Sequence, residues 1–450
     1  MGLYDGWKTL ERLCPDELAA ARLEHPAPGG PPGEPPARPR PAVVQDTLVQ
    51  LQVLAYQARQ IRTAGAPGAP ACLWPGLAAG LVTHALDYWA PARPALLVLV
   101  ADKPESVTRL KAETQAKRVR ALEKKSPFVK LPAGELAIDP ATERVLHVRP
   151  GGAVVVPGAY VEDLLGERAA RPLLLRHLGE LLRTQDWLRH RLAHAGTDLV
   201  LDLGGGCCWR LPAGAKAWEK HAGDAPWGPV PAGEADVGCF GWALRWWALH
   251  GRGALVAVET IDTDFWLLGL LLLASPAGRG GALWLRFYRK QLLDLARAYE
   301  RLRDSGKLWP VLRTLSLNGS DFLPHKDVCP GVGGEYLFRV QVLRHQPARE
   351  ALVFPDFAGF LRDICDTYSV KAGRRPAPPA CDALELHAQL ARAHRKLPTL
   401  DKLRESWAVH TQQCDYWVAG LAELAPPPPG PAKEEGAQPA PLHGAAGAGP

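Results

Sequence analysis

The sequence predicts an α/β protein built on a doubly wound, mostly parallel sheet, and three observations carry that prediction. Short apolar runs without alternation recur at AlaLeuLeuValLeuVal (95–100), AspLeuValLeuAspLeu (198–203) and AlaLeuValAlaVal (254–258); a parallel sheet buries its strands on both faces and needs such runs. Segments of helical periodicity lie between them, as a strand–helix alternation requires. Acidic residues follow the runs, at the edge where open α/β sheets bind their ligands.

Taken in order, AlaValVal (42–44) is the first core strand, running out at Asp46, and amphipathic helices are expected at 47–63 and 76–90. The strand at 95–100 leads to Asp102. After a long polar interval comes a helix at 172–195, with Pro172 in its first turn, Leu174, Leu178, Leu181, Leu188 and Leu192 on one face, and Gly196 past its end. The strand at 198–203 follows. GlyGlyGlyCysCysTrp (204–209) lacks the Gly-Lys-Ser/Thr of a phosphate loop and reads as a strand-to-loop connection. A helix at 237–250 stopped by Gly251, the strand at 254–258 and a helix near 288–304 follow. Residues 340–425 read as helices, with Trp407, Tyr416 and Trp417 among apolar neighbours as packing residues and, as the alternative, as platforms for stacking on bases. Residues 26–42 form a Pro-rich flexible insert, and 426–450 are too poor in core-forming residues to be anything but a disordered tail.

With 450 residues, 47% of them hydrophobic, the chain can bury a sizeable core. Nine cysteines without a Cys-x-x-Cys pair or an adjoining His cluster argue against a structural zinc site and against a disulfide framework. The amino terminus has no uninterrupted apolar segment, Gly at position 6 argues against myristoylation of Gly2, and the run at 265–274 is too short to span a bilayer. The expectation is an intracellular, monomeric chain of nucleus or cytoplasm, neither secreted nor membrane-bound.

The acidic residues carry the chemistry. Asp46 and Asp102 end strands, Glu234 and Asp236 precede a helix in ProAlaGlyGluAlaAspValGlyCys, Asp262 and Asp264 follow the strand at 254–258, and Asp321 follows another apolar stretch. Glu234 and Asp236 alone would suit the first turn of a helix. Asp262 and Asp264, if extended, would point the same way and repel each other. Hard oxygen donors gathered without His or Cys suit Mg2+, with Mn2+ as substitute, and two such ions can flank a phosphodiester. Directly after Asp102, residues 103–130 hold nine Lys/Arg and three Glu, a local charge of +6 that equals the net charge of the whole chain. Lys111 and Arg118 share a helix face there, and such an arm beside an acidic site suits a polyanionic substrate.

These residues resemble the flap endonuclease/XPG-type 5′ nucleases of PIN-like fold and their relatives the 5′-to-3′ exoribonucleases. The resemblance covers MetGlyLeuTyrAspGlyTrpLysThrLeu at the start, Asp46, Asp102, GlyGluAlaAsp (233–236), IleAspThrAsp (261–264) and GlySerAspPheLeuProHis (319–325), in matching order. The last is especially like the exoribonuclease branch, while GluAlaAsp with IleAspThrAsp also resembles herpesviral virion host shutoff nucleases. The resemblance implies a nuclease core over 1–340, with an inserted helical arch and cap over 103–196, and a helical carboxy-terminal region over 341–425. It implies two Mg2+ ions held by Asp46, Asp102, Glu234, Asp236, Asp262, Asp264 and Asp321. Lys111 and Arg118 would be catalytic at the scissile phosphate, and Gly2, Lys117, Arg120, Lys124 and Lys125 would bind the nucleic acid. Asp236 departs from the pattern, which has Glu there. ProGlyValGlyGlyGluTyrLeuPhe (330–338) offers the glycine turn of a duplex-gripping motif but lacks its following basic residue. The function expected is cleavage of DNA flaps or branched DNA. RNA degradation, a non-catalytic nucleic-acid-binding platform and a phosphatase-like enzyme with Asp262 as nucleophile are the alternatives.

Overall fold

The structure is a computed structural model. It describes residues 11–24, 40–64, 72–103, 128, 131–132, 134–167, 170–223, 225–231, 234–260, 262, 264–287, 291–317, 323, 325–344, 351–378 and 380–424. The described strands, in chain order, are β1 (Arg22–Leu23), β2 (Ala42–Asp46), β3 (Leu96–Val100), β4 (Glu135–Ile138), β5 (Arg144–Arg149), β6 (Gly152–Tyr160), β7 (Asp198–Asp202), β8 (Cys207–Leu211), β9 (Glu219–Ala222), β10 (Val256–Thr260), β11 (Leu283–Phe287) and β12 (Gln291–Asp294). The α-helices are α1 (Pro15–Ala19), α2 (Thr47–Ala64), α3 (Trp74–Trp89), α4 (Arg171–Thr184), α5 (Asp186–Ala195), α6 (Ala235–His250), α7 (Asp264–Ala274), α8 (Leu295–Asp304), α9 (Leu308–Leu317), α10 (His325–Val328), α11 (Gly334–Arg344), α12 (Phe357–Lys371), α13 (Ala383–Ala393) and α14 (Leu400–Glu423).

The chain forms an α/β fold on a nine-stranded mixed sheet, in the order β1-β12-β11-β10-β2-β3-β7-β8-β9. Its centre, β11-β10-β2-β3-β7, is parallel, and both margins are antiparallel. The parallel strands β2, β3 and β10 are buried at every position. Such strands need a covered face on each side, and the side chains alternate accordingly. Val44, Val98, Val200 and Val258 pack with α6, α7 and α8 on one face; Val43, Leu97, Leu199 and Ala257 pack with α2, α3, α4 and α5 on the other. A third cluster, centred on Phe360, Ile364 and Leu403, unites α12, α13 and α14.

The interval between β3 and β7 holds a separate three-stranded antiparallel sheet, β4-β5-β6. It is fastened to α2 and α3 through buried charge. Arg62 pairs with Glu143 and, at 2.7 Å, with Glu162, while the Trp74 backbone N–H and indole N–H donate to those same carboxylates at 2.7 and 3.1 Å. Both glutamates are 1% exposed. Buried carboxylates are tolerated only when paired and hydrogen-bonded in this way.

Several expectations need correction. The helix expected at 172–195 is two helices, α4 and α5, broken at Gln185, whose backbone is extended (φ −86°, ψ 106°). The helix expected near 288–304 starts only at Leu295; Gln291–Asp294 is β12, which closes the sheet against β11 and β1. Residues 204–209 are not merely a connection, because Cys207–Leu211 is β8, paired with β7 and β9. Gly204, Gly205 and Gly206, all at positive φ, make the reversal before it. Among the described residues no helix is long and apolar enough to cross a membrane.

Candidate metal centre at the carboxyl edge of the sheet

Strand alternation and register decide which acids meet. On β2, Ala42 and Val44 face α6, so the next residue of that parity, Asp46, does too. Asp46 is in register with Val100 of β3, and Val100 with Asp202 of β7. Asp46 and Asp202 thus flank Val100 in one row, roughly 10 Å apart across two strand spacings. Asp102, two residues beyond Val100, keeps the same parity. On the other side, β10 is paired with β2 as far as Glu259 opposite Gln45, which brings Thr260 level with Asp46.

Glu259 has the opposite parity and belongs to a different cluster. It pairs with Arg286, and accepts from Trp89 Nε1 at 2.8 Å and from Gln45 Nε2 at 3.1 Å. The Arg286 guanidinium also stacks 3.1 Å above the Tyr88 ring. This acid is neutralised on the far face of the sheet.

Helix α6 lies directly over the row. A Cβ on Gly238 would stand 3.0 Å from Val100 Cγ1, so the glycine permits the close approach. The start of α6 is held by Asp102, whose Oδ1 accepts the Ala235 backbone N–H at 2.9 Å, while its Oδ2 lies 3.7 Å from Arg171 Nη1. A carboxylate from another element therefore caps this helix, with the macrodipole in its favour. Glu234 occupies the N-cap position and Asp236 the first turn, because α6 starts at Ala235, two residues before the start expected at 237.

Asp262 and Asp264 are correspondingly not two residues of one extended stretch. Asp264 is the first residue of α7, and its N–H donates to Asp262 Oδ1 at 3.2 Å. Thr260 Oγ1 accepts the Asp262 N–H at 2.9 Å and shapes the exit from β10. Asp262 thus caps α7 as well as standing at the strand end.

The acids act on what lies between them. The Cys239 thiol, buried on α6, is held well above its ordinary pKa by burial first and then by Asp46, Asp236, Asp202 and Asp102. The Tyr416 phenol of α14 is pushed far up by burial and then by Glu234, Asp236 and Asp102, with a hydrogen bond to Glu234. Five carboxylates from four separate elements thus share one electrostatic neighbourhood. Of these, Asp46, Glu234 and Asp202 are 5%, 3% and 0% exposed, so water does little to screen them.

Among the described residues no three His, Cys, Asp or Glu side chains stand together tightly enough to hold a metal ion as they are placed. Gly2, Lys111, Lys117, Arg118, Arg120, Lys124, Lys125 and Asp321 lie outside the described residues. The donor chemistry nonetheless suits a hard divalent cation, the described acids at this edge being carboxylates from several elements.

Two participants escaped the sequence reading. Asp202, 0% exposed, accepts from Trp242 Nε1 at 3.0 Å and from the Val230 N–H at 3.2 Å, and pairs with Lys103 Nζ at 3.0 Å. Its signal was in plain view, an Asp closing an apolar strand as Asp46 does. Its pairing with Lys103 ties the end of β7 to the chain leaving β3. Tyr416 had no comparable signal. Compared with known proteins, the chain matches no family model and no curated protein.

Proposed function

We propose that this chain is a divalent-metal-dependent 5′ nuclease with a PIN-like core, acting on flapped or branched DNA. The observation that carries the reading is the convergence of Asp46, Asp102, Glu234, Asp236 and Asp202 on Cys239 and Tyr416 at the carboxyl edge of a parallel sheet. Carboxylates gathered at one sheet edge offer the hard oxygen donors that a divalent cation prefers. Asp46, Asp102, Glu234, Asp236, Asp262, Asp264 and Asp321 would hold Mg2+ or Mn2+. Those ions, when bound, would supply Lewis-acid charge at the scissile phosphate.

The chain's own groups supply the rest. Asp102 fixes α6, and with it Glu234 and Asp236, while Asp262 fixes α7 and Asp264. Lys111 and Arg118 would orient the phosphate from the basic arm, which leaves the site directly at Lys103. That lysine is itself tied to Asp202, so the root of the arm is anchored beside the acids.

Cleavage of a 5′-flapped DNA, a 5′-monophosphate single-stranded RNA and a hairpin RNA, by wild type and Asp262→Asn with Mg2+, tests the proposal. Flap cutting that disappears in the variant supports it. RNA cutting that disappears in the variant moves the substrate class to RNA. No cutting of any substrate, or equal cutting by the variant, overturns the nuclease reading in favour of a binding platform.

A further inference from the structure

The carboxy-terminal helix α14 runs alongside α6 in a fixed register. A Cβ on Gly420 would stand 3.4 Å from Val237 Cγ1, and a Cβ on Gly241 would stand 3.0 Å from Leu424 Cδ2. Both contacts advance by four residues on both helices, one turn each, so the two run side by side in the same direction. One turn back from Val237 and Gly420 are the entrance to α6 and residue 416. The register by itself therefore brings Tyr416 to Glu234, to which it is hydrogen-bonded. The neighbouring side chain, Trp417, is 1% exposed and seated in the core cluster with Trp242, which keeps α14 from turning about its axis.

We infer that Tyr416 is a positioning residue of the acidic centre, and that α14 is through it a working part of that centre rather than a packing element. The inference rests on the metal-dependent reading proposed above. A phenol is protonated at neutral pH and is a neutral donor. Placed among carboxylates, it commits part of the Glu234 carboxylate to a fixed hydrogen bond and adds no charge to the cluster. Partners that orient a ligand in this way commonly change metal affinity by about 10- to 100-fold when removed. The residue comes from more than 170 positions downstream of Glu234, so no local pattern could announce it.

The test is a double-mutant cycle read by Mn2+ titration, with the electron paramagnetic resonance of free Mn2+ as signal. Wild type, Tyr416→Phe, Glu234→Gln and the double variant are compared, and unfolding by urea in EDTA is followed for each. The expected result is Mn2+ affinity at least about 10-fold weaker in Tyr416→Phe. Glu234→Gln should also bind weakly and lose nothing more on adding Tyr416→Phe, while Tyr416→Phe still unfolds cooperatively in EDTA. Wild-type affinity in Tyr416→Phe overturns the inference and leaves the metal reading standing. So does a loss that recurs in full in the Glu234→Gln background, since that marks plain packing. A wild-type protein that binds no Mn2+ overturns the metal reading and takes this inference with it.

Discussion

Asp102 Oδ1 accepts the backbone N–H of Ala235 at 2.9 Å, so a carboxylate at the end of β3 is also the cap of the helix that carries Glu234 and Asp236. One residue thus does two separable things. Asp102→Asn keeps an oxygen acceptor for the cap and removes the charge; Asp102→Ala removes both. The Ala variant should be less stable than the Asn variant by about 1 kcal/mol in urea unfolding. Both should lose metal-dependent cleavage. Equal stability of the two would show that the cap contributes nothing.

Asp202 should behave differently from the other acids. Its oxygens are taken by Lys103, Trp242 and Val230, so its removal takes the carboxylate partner from a mostly buried lysine that also donates to the Val230 carbonyl. Breaking a buried pair from one side costs about 3–5 kcal/mol. Asp202→Ala is therefore expected to fall in stability by that order, more than Asp262→Asn, whose amide oxygen still caps α7. A loss under about 1 kcal/mol in urea unfolding would contradict the fastening role.

Two glycines should respond in opposite directions. In α6, Gly238→Val forces atoms past a Cβ position already 3.0 Å from Val100 and should cost about 1–3 kcal/mol, with weaker Mn2+ binding as α6 lifts from β3. In α3, a Cβ on Gly80 would meet nothing within 4 Å, so Gly80→Ala should stabilise by about 1 kcal/mol through helix propensity alone. Thermal unfolding reads both.

How much of this was legible in the sequence depended on how directly each feature is written in side-chain pattern. β2, β3, β7 and β10 were legible because burial on both faces demands unbroken apolar runs, and their acidic ends came with them. β12 was not: its four residues sit at the margin of the sheet, half-buried at both ends, and run straight into α8. The β4-β5-β6 sheet escaped because it exposes apolar residues on both faces, Val154 at 55% and Val155 at 44%, which erases the alternation that marks a strand. The break between α4 and α5 carries no Pro or Gly. The acids at strand ends could be collected from the sequence, but their parity could not be sorted without the register. Register is what separates Asp46, on the α6 face, from Glu259, neutralised by Arg286 behind the sheet.

The carboxy-terminal helices carry a pH-sensitive element. His410, fully buried, lies 3.0 Å through Nε2 from Ser316 Oγ, and burial, with a lesser effect from Arg313, lowers its pKa to about 4. A base whose folded pKa lies below its unfolded value of 6.5 is neutral in the native state. Its contribution is complete above pH 6.5 and is lost as pH falls through that value toward 4. The full span is worth about 3 kcal/mol. Asp363, raised to about 6 chiefly by burial, has the opposite slope over an overlapping range, so the comparison must be with His410→Gln and not with absolute stability. The difference in urea midpoint between wild type and His410→Gln should shrink steadily from pH 7 to pH 4. A constant difference would contradict the assignment.

The central claim is that the acids at the carboxyl edge of β2, β3 and β10 and at the start of α6 form one divalent-cation site. Crystals soaked in Mn2+, with diffraction recorded at a wavelength where manganese scatters anomalously, test it most directly. Anomalous peaks are expected among Asp46, Asp102, Glu234, Asp236, Asp262 and Asp264, absent from Asp262→Asn crystals or reduced in them. Mn2+ bound only elsewhere on the molecule, or no peak at that edge at saturating Mn2+, would contradict it.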